Sequence, residues 1–280
     1  MKKIRFLLLA AAFLAASLRS EAQDFIYTPE DTVAYHRAME RLLPYAGLSS
    51  GDLMVKAAML FEGTPYVAGT LEVVPEVPVI GLCRTDCILF VEMCVALVEL
   101  VRESDGKVPP FRVYCDRILS MRYRDGRVDG YASRLHYTSE WILQNSAAGR
   151  MREVTGEIGG KPLEQKFSFM TANSGKYPAL ADNPSAVAQI RRVEERLDTA
   201  TEYFSIPAAG IQESLIQDGD MVCFVSNVSG LDITHVGIAA RDSDGSLHFI
   251  HASLREKKVV FESKTLREYC RTSLRVVRIL

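Results

Sequence analysis

Residues 232–253, DITHVGIAARDSDGSLHFIHAS, alternate apolar and polar side chains on both sides of a short segment rich in Asp, Ser and Gly. Alternation with a period of two is typical of β-strands, and Asp and Gly favour the tight loop that joins two antiparallel strands. The stretch therefore predicts a β-hairpin. A loop of three or five residues places His235 opposite His251 with their Cβ atoms ~5 Å apart, and other loop lengths shift the register by a residue or more.

The rest of the chain divides into a helical first half and a strand-rich end. Residues 219–226, 257–263 and 274–280 share the period-two pattern of the hairpin and predict further strands. Apolar residues at three-to-four spacing predict helices at about 32–43, 51–61, 87–102, 115–121, 139–145 and 186–201, with a short helix near 265–270. N-terminal helices packed on a C-terminal antiparallel β-sheet make an α+β fold.

Length and composition predict one large domain after an N-terminal leader. The chain has 280 residues, of which 48% are hydrophobic, and this is enough to bury a full core. We expect a single domain over residues 23–280. Its helical part covers about 30–105, an insert covers about 111–210 and the β-sheet part covers about 211–280.

The first 22 residues have the pattern of a signal peptide. Basic residues at positions 2, 3 and 5 precede the apolar run FLLLAAAFLAASL, and the sequence SEA at 20–22 forms a small-x-small cleavage site. The apolar run is shorter than the ~20 residues of a spanning helix, so we expect no stable membrane insertion after cleavage. The predicted product begins near Gln23 and is exported, to the periplasm or out of the cell.

Charge and cysteine spacing limit the partners and cofactors. A formal net charge of -2 lacks the basic excess typical of nucleic-acid-binding domains, so we expect no nucleic-acid partner. The spacing of Cys83, Cys87 and Cys94 matches no zinc pattern, and neither a metal nor another cofactor is expected. An oxidising compartment permits disulfides among the six cysteines, but a domain of this size folds without them.

Cys87 is the first residue of a predicted helix and follows Asp86 in the sequence TDC. Unpaired backbone N–H groups and the helix dipole stabilise a thiolate there, which predicts a lowered thiol pKa and a nucleophilic role. With His235 as base and His251 as the residue that orients it, Cys87 completes a Cys/His nucleophilic site. A buried structural cysteine and structural histidines are the alternative interpretation.

The order of several motifs resembles a known family. GTPYVAGT, TDC at a helix start, THVGIA on a strand and IHAS on the next strand resemble the NlpC family of papain-like cell-wall cysteine hydrolases. YVAGTLE, YASRLHYTSEWILQN and SGLDITHVGI are similar to the branch regarded as N-acetylmuramoyl-L-alanine amidases. The resemblance runs from about Thr64 to the C-terminus. It implies a papain-like NlpC-type fold with Cys87 as nucleophile, His235 as base and His251 as third member.

The resemblance also implies a substrate. This is a small-molecule muropeptide, cut by a monomer without a cofactor at the amide between N-acetylmuramic acid and L-alanine. Tyr66, Ser133 and Asp232 are implied to bind it, with packing in a loop as the alternative for Tyr66. Arg134 has a planar guanidinium that matches a peptide carboxylate, or it forms a surface salt bridge. We expect the insert to wall the cleft and to restrict substrates to soluble muropeptides.

Two features depart from the family pattern, and three other functions stay open. Ile88 and Leu89 follow the cysteine where the family often has a small hydroxyl residue. Cys83 precedes Cys87 by four residues, and a disulfide between them would inactivate the enzyme until it is reduced. The other functions are a stem-peptide endopeptidase of the same family, a catalytically silent peptidoglycan-binding module, and a disulfide-stapled secreted structural protein.

Overall fold

The structure is a computed structural model that describes residues 24–280, so the predicted signal peptide at 1–22 lies outside the described residues. Among the described residues the α-helices are α1 (Pro29–Leu42), α2 (Ser50–Leu60), α3 (Cys87–Glu103), α4 (Phe111–Arg122), α5 (Thr138–Ala147), α6 (Phe169–Ala172), α7 (Pro184–Leu197) and α8 (Leu266–Tyr269). Local side chains start several of them. Thr28 and Asp31 form a capping box at α1, and the Ser49 hydroxyl accepts the backbone N–H of Asp52 at α2.

The strands that the structure describes form one antiparallel sheet. They are β1 (Met151–Glu153), β2 (Lys161–Leu163), β3 (Tyr203–Pro207), β4 (Met221–Val225), β5 (Ile233–Arg241), β6 (Leu247–Ser253), β7 (Lys258–Phe261) and β8 (Ser273–Ile279). Their spatial order is β2-β3-β8-β4-β5-β6-β7, and β1 pairs with the edge of β8 away from β4. Helices at the N-terminus and an antiparallel sheet at the C-terminus confirm the predicted α+β class.

Helix α3 lies at the centre of the main apolar core. Its residues Val91, Val95 and Val101 are fully buried, and the helix packs against α1, α2, α4 and β5. A second apolar cluster, which includes Phe249 and Leu266, covers the opposite face of the sheet. Since both faces of the sheet are covered, every residue of β6 is buried. A histidine on this strand is therefore removed from bulk water.

The predicted hairpin is present, but its register differs from the prediction. Arg241 pairs with Leu247, so the loop has five residues, 242–246. Direct pairing of His235 with His251 requires a loop centred one residue earlier. The observed loop therefore shifts the pairing of β5 with β6 by two residues. His235 and His251 are therefore diagonal neighbours rather than directly opposite residues.

The side chain of Asp242 sets this loop. Its Oδ1 atom accepts the backbone N–H groups of Asp244 at 3.0 Å and Ser246 at 2.9 Å. Gly245 closes the turn with a φ of +81°, a conformation that glycine adopts without a steric penalty. The hydrogen bonds of one aspartate thus decide which residues of β5 and β6 face each other.

The stretch predicted as an insert, 111–210, contributes more regular structure than expected. Helices α4, α5 and α7 are present at the predicted positions within a few residues. Strands β1, β2 and β3 were not predicted, and two of them extend the sheet by pairing with β8. These strands have only three to five residues, which is too short for a periodic signal.

The six cysteines all lie within the described residues, and none forms a disulfide. Cys83 is exposed, Cys87 is half-buried and the other four are buried. This arrangement is at odds with a disulfide-stapled structural protein. Between residues 24 and 280, no helix has both the length and the apolar character needed to cross a bilayer. The same part of the chain has no group of three or more His, Cys, Asp or Glu side chains arranged to hold a metal ion.

Candidate active site

Cys87 is the first residue of α3, and the segment before it is fixed by backbone contacts. Asp86 is the N-cap residue, and its carboxylate accepts the backbone N–H of Leu89 at 3.0 Å. Thr85 forms an isolated β-bridge with Tyr66, which ties the Tyr66 loop to the start of the helix. Burial raises the pKa of the Tyr66 hydroxyl to about 12, and nearby Cys87 and Asp86 add to this effect. The predicted nucleophile and Tyr66 are therefore neighbours.

The Cys87 thiol is neutral at neutral pH. Burial of the sulfur, together with the Asp86 carboxylate, raises its pKa to about 12. The backbone N–H groups of Val236, Ile88 and Cys87 itself face the sulfur and oppose this shift by a smaller amount. The shift is opposite to the lowered pKa predicted from the helix start, because burial outweighs the helix dipole. The thiol needs a base before it can act as a nucleophile.

Two histidines form a hydrogen-bonded pair beside Cys87. His235 lies on β5 and His251 on β6, with 2.6 Å between His235 Nε2 and His251 Nδ1. Their rings meet edge to face with centroids 4.8 Å apart. Val236, the residue after His235, directs its backbone N–H towards the Cys87 sulfur. The fold thus pairs the two predicted histidines and brings the segment of β5 that carries His235 to the Cys87 sulfur.

Both histidines are neutral at neutral pH. Burial lowers the pKa of His235 to about 3, and His251 contributes to the same shift. Burial also lowers the pKa of His251, although Glu262 and Glu256 act in the opposite direction. A neutral pair holds one proton in the bond between the two rings. When His235 Nε2 donates that proton to His251, the lone pair of His235 Nδ1 is available to accept another.

Tyr269 on α8 packs against the histidine pair, and no sequence pattern predicted it. Its ring centroid lies 6.4 Å from His235 and 5.7 Å from His251. Burial raises the pKa of the Tyr269 hydroxyl, with further contributions from Glu262 and Cys87. A residue that reaches the site from a four-residue helix has no local sequence pattern that would reveal it.

Glu262 is a second site residue that the sequence analysis did not identify. It follows the last residue of β7, and its Oε2 atom lies 3.4 Å from His251 Nε2. Its other oxygen accepts the backbone N–H of Lys264 at 3.1 Å and the hydroxyl of Ser263 at 3.3 Å. The side chain of His251 is only 1% exposed, so Glu262 is the charged group that reaches the far side of its ring.

A cavity of about 240 Å³ opens beside the first turn of α3. Asp86, Ile88 and Leu89 line one side of it, and residues from 111–210 such as Tyr137 and Trp141 line the other. Cys87 lies between two lining residues, although neither Cys87 nor His235 itself lines the cavity. The cavity is therefore next to the proposed nucleophile, and the predicted insert forms much of its wall.

Arg134 also lines this cavity, but its guanidinium is already paired. Its Nη2 atom donates to Glu72 Oε1 at 2.8 Å, and its Nε atom lies 3.0 Å from Glu76 Oε1. The Tyr131 hydroxyl donates to the second oxygen of Glu72 at 3.0 Å. This is a largely buried ion-pair network rather than the surface salt bridge considered above. Binding of a peptide carboxylate by Arg134 stays a prediction, and it has to compete with two glutamates.

Ser133 and Asp232 are held by hydrogen bonds to the backbone, and neither lines the cavity. The Ser133 hydroxyl donates to the carbonyl of Gly130 at 2.7 Å and accepts the backbone N–H of Asp129 at 2.9 Å. The Asp232 carboxylate is buried and accepts the backbone N–H of Ser139 at 2.7 Å, near the start of α5. Their roles in substrate binding stay predictions.

A family model described as AmiA-like, N-acetylmuramoyl-L-alanine amidase-like, matches residues 56–276. The chain belongs to this family. An N-acetylmuramoyl-L-alanine amidase from Bacteroides uniformis is 32% identical over 82% of this chain and 99% of its own, with a TM-score of 0.75. A search of curated proteins found no match.

Two further solved structures are similar to this member of the AmiA-like family. A protein from Bacteroides fragilis described as a proposed xylanase is 32% identical over 79% of this chain and 99% of its own, with a TM-score of 0.73. A protein from Legionella pneumophila is 19% identical over 90% of this chain and 93% of its own, with a TM-score of 0.61. At this identity, the protein from Legionella pneumophila shows a shared fold alone. The AmiA-like family places the chain among amidase-like peptidoglycan hydrolases.

Proposed function

We propose that the protein is a cysteine amidase with a papain-like, NlpC-type catalytic arrangement. Its substrate is a muropeptide, and the bond cut joins the lactyl carbonyl of N-acetylmuramic acid to L-alanine. The observation that supports this most is the 2.6 Å contact between His235 Nε2 and His251 Nδ1, next to Cys87 at the start of α3. The family match and the amidase from Bacteroides uniformis support the choice of bond.

The first step is acyl transfer to sulfur. His235 Nδ1 accepts the proton of the Cys87 thiol as the sulfur attacks the amide carbonyl carbon. His251 stabilises the imidazolium that forms, since its Nδ1 atom accepts from His235 Nε2. The oxyanion is stabilised by backbone N–H groups at the first turn of α3, where they have no helical partner. When the C–N bond breaks, His235 returns the proton to the nitrogen of L-alanine.

The second step is hydrolysis of the thioester. His235, again neutral, accepts a proton from water as the water oxygen attacks the thioester carbonyl. The C–S bond breaks, the sugar acid leaves and the Cys87 sulfur regains its proton. The reaction as proposed uses no metal and no organic cofactor. Because both the Cys87 thiol and His235 are neutral at rest, the proton moves from sulfur to His235 as the sulfur attacks the carbonyl carbon and not before.

The lining of the cavity supports a small substrate. Residues from 111–210 form much of its wall, and a wall of this kind would exclude a crosslinked polymer sterically. We therefore expect soluble muropeptides to be cut much faster than intact sacculi. Comparable rates on sacculi and on purified muropeptides, measured at equal concentrations of the scissile bond, would count against this part of the proposal.

Hydrolysis of a glycosidic bond, suggested by the neighbour from Bacteroides fragilis, fits the site less well. Glycosidases need an acidic pair whose oxygens are available to the sugar and to water. In the cavity, Asp86 caps α3 and Glu92 accepts two guanidinium nitrogens of Arg122 at 2.9 and 2.6 Å. Glu72 is paired with Arg134. These three carboxylates are therefore already occupied.

The protein is further proposed to act as a monomer outside the cytoplasm, in the periplasm or secreted. The cell-wall association of the family supports this location. Fractionation of cells that express the full chain or a chain lacking residues 1–22 tests it. The full chain should be found in the exported fraction and the shortened chain in the cytoplasm.

The experiment that tests the activity is digestion of a defined muropeptide followed by mass analysis of the products. The amidase releases the free sugar acid and an intact peptide that begins with L-alanine. The alternative, an endopeptidase of the same family, cuts inside the stem peptide and leaves L-alanine attached to the sugar. A catalytically silent binding module releases no product while it still binds the muropeptide. Either of these results would overturn the proposal.

A further inference from the structure

Glu262 is placed to choose which nitrogen of His251 bears the proton. Its Oε2 atom lies 3.4 Å from His251 Nε2, within ion-pair range, and this nitrogen has no hydrogen-bond partner among the described residues. A carboxylate attracts an N–H and repels a lone pair, so it favours the tautomer of His251 that is protonated at Nε2. In this tautomer His251 Nδ1 is an acceptor.

The tautomer of His251 determines that of His235. When His251 Nδ1 is an acceptor, the 2.6 Å contact requires His235 Nε2 to be the donor. A neutral His235 with its proton on Nε2 presents the lone pair of Nδ1, which is the atom needed to accept the Cys87 proton. In the opposite tautomer of His251, Nδ1 donates to His235 Nε2, and His235 then has its proton on Nδ1. His235 cannot act as base in that state.

The position of Glu262 is fixed by the turn that follows β7. Its Oε1 atom accepts from Lys264 and Ser263, which leaves Oε2 directed towards His251. His248 holds the same turn from β6, since its Nδ1 atom lies 3.0 Å from the carbonyl oxygens of both Glu262 and Lys264. Burial alone would raise the pKa of Glu262, but the Lys264 amide and His251 together lower it, so the carboxylate is ionised at neutral pH.

We propose that Glu262 is a positioning residue that fixes the proton of His251 on Nε2 and thereby keeps His235 in the tautomer that can deprotonate Cys87. The inference rests on the proposed function for its effect on rate, but the tautomer itself exists without substrate. The titratable groups that face His251 are His235 from β5, Glu262 after β7, Tyr269 from α8 and Glu256 from the β6–β7 turn.

The test compares Glu262→Gln with Glu262→Asp and with a matched control, Glu256→Gln. Glu256 is exposed, pairs with Arg255 and also bears a negative charge near His251, but it has no contact with the ring. Two measurements are made on each protein. One is kcat and KM on the muropeptide across pH, and the other is the ¹⁵N chemical shifts of the histidine side chains without substrate.

In Glu262→Gln, we expect kcat to fall about tenfold or more with little change in KM, because about nine tenths or more of the protein then holds the unreactive tautomer. The spectrum should show a His251 population protonated at Nδ1. Glu262→Asp should restore part of the rate, and Glu256→Gln should match the wild type in both measurements.

An unchanged His251 tautomer in Glu262→Gln would overturn the inference, as would an equal loss of kcat in Glu256→Gln. The spectra separate this failure from failure of the proposed function. If the wild type cuts no muropeptide but its His251 is protonated at Nε2 and shifts in Glu262→Gln, the proposed reaction is wrong and the tautomer assignment stands.

Discussion

Gly237 lies opposite His251 in the pairing of β5 and β6, and the absence of a side chain there leaves room for the His251 ring to reach His235. The pairing of Ile238 with Ile250, continued by one residue, places Gly237 and His251 together. A Cβ atom on Gly237 would lie only 3.2 Å from the Cβ atom of His251. The diagonal contact between the two histidines therefore depends on a glycine.

Gly237→Ala is expected to reduce both stability and activity. The added methyl group would lie 2.6 Å from a ring carbon of Phe249 and 3.0 Å from the carbonyl oxygen of Ile250, so the strands have to shift. We expect a loss of roughly 1–3 kcal/mol in the free energy of unfolding, as overpacking typically causes. Urea denaturation and kcat on a muropeptide measure the two effects.

Gly47→Ala is the matched control for this substitution. No heavy atom lies within 4 Å of a Cβ atom built at Gly47, so its stability should stay within about 0.5 kcal/mol of the wild type. If Gly237→Ala were as stable and as active as Gly47→Ala, the steric role assigned to Gly237 would be wrong.

His251→Ala should lower kcat far more than it changes KM. Without His251, nothing orients His235 or stabilises its imidazolium, and orienting residues of this kind contribute a factor of ~10²–10⁴ in rate. His251→Asn should recover part of the rate, since its side-chain oxygen can accept the proton of His235 Nε2. Steady-state kinetics on a muropeptide measure both variants.

The control for His251 is His36→Ala on α1. His36 is exposed and should not affect the rate. An activity of His251→Ala within about twofold of the His36→Ala activity would exclude His251 from the mechanism.

The activity should persist at acidic pH. The reaction requires a neutral His235, and burial lowers the pKa of this residue to about 3. A histidine with the ordinary pKa of ~6.5 would be mostly protonated at about pH 5, whereas His235 should still be neutral there. We expect kcat/KM to change little between about pH 7 and about pH 5. An acidic limb with its midpoint near the ordinary histidine value would contradict the buried, neutral pair.

The lowered pKa of His235 keeps the base neutral at acidic pH, but it also makes the folded state less stable there. Because the folded-state pKa of His235 is depressed, the unfolded chain binds more protons than the folded chain between the ordinary histidine pKa and about pH 3. His235 therefore destabilises the folded state as the pH falls through this window. Activity should be lost by unfolding before it is lost by protonation of the base, and circular dichroism recorded beside the rate separates the two.

Glu92→Gln should be strongly destabilising. Glu92 and Arg122 form an ion pair beneath the cavity with side-chain exposures of 2% and 7%, and removal of one partner leaves a buried charge unpaired. Such a loss typically costs about 3–5 kcal/mol. Glu103→Gln is a control on the same helix, since Glu103 pairs with Arg117 but is 59% exposed, and it should cost less than about 1 kcal/mol. Equal losses in urea denaturation would contradict the burial argument.

The sequence predicted the elements that contain the three central side chains. The apolar spacing after Asp86 predicted a helix at about 87–102, and the structure has it at Cys87–Glu103. The hairpin with its two histidines was also predicted. These features are local, since an N-cap residue, a hydrophobic period and a turn signal are all properties of a short segment.

The parts that the sequence did not predict depend on tertiary structure. The register shift results from two backbone amides bound by Asp242, which no alternation of apolar residues encodes. Tyr269 and Glu262 reach the histidine pair from separate elements. The thiol pKa of Cys87 was predicted with the wrong direction, because helix position is visible in the sequence and burial of the sulfur is not.

The central claim is that Cys87 is the nucleophile, and its most direct measurement is the rate of muropeptide cleavage by Cys87→Ala beside that of Cys83→Ala. Cys83 is the exposed cysteine four residues earlier, so the two variants remove the same atom from two positions in the same segment. We predict no sugar acid from Cys87→Ala and the wild-type rate from Cys83→Ala. Release of sugar acid by folded Cys87→Ala at a rate near that of the wild type would contradict the proposed mechanism.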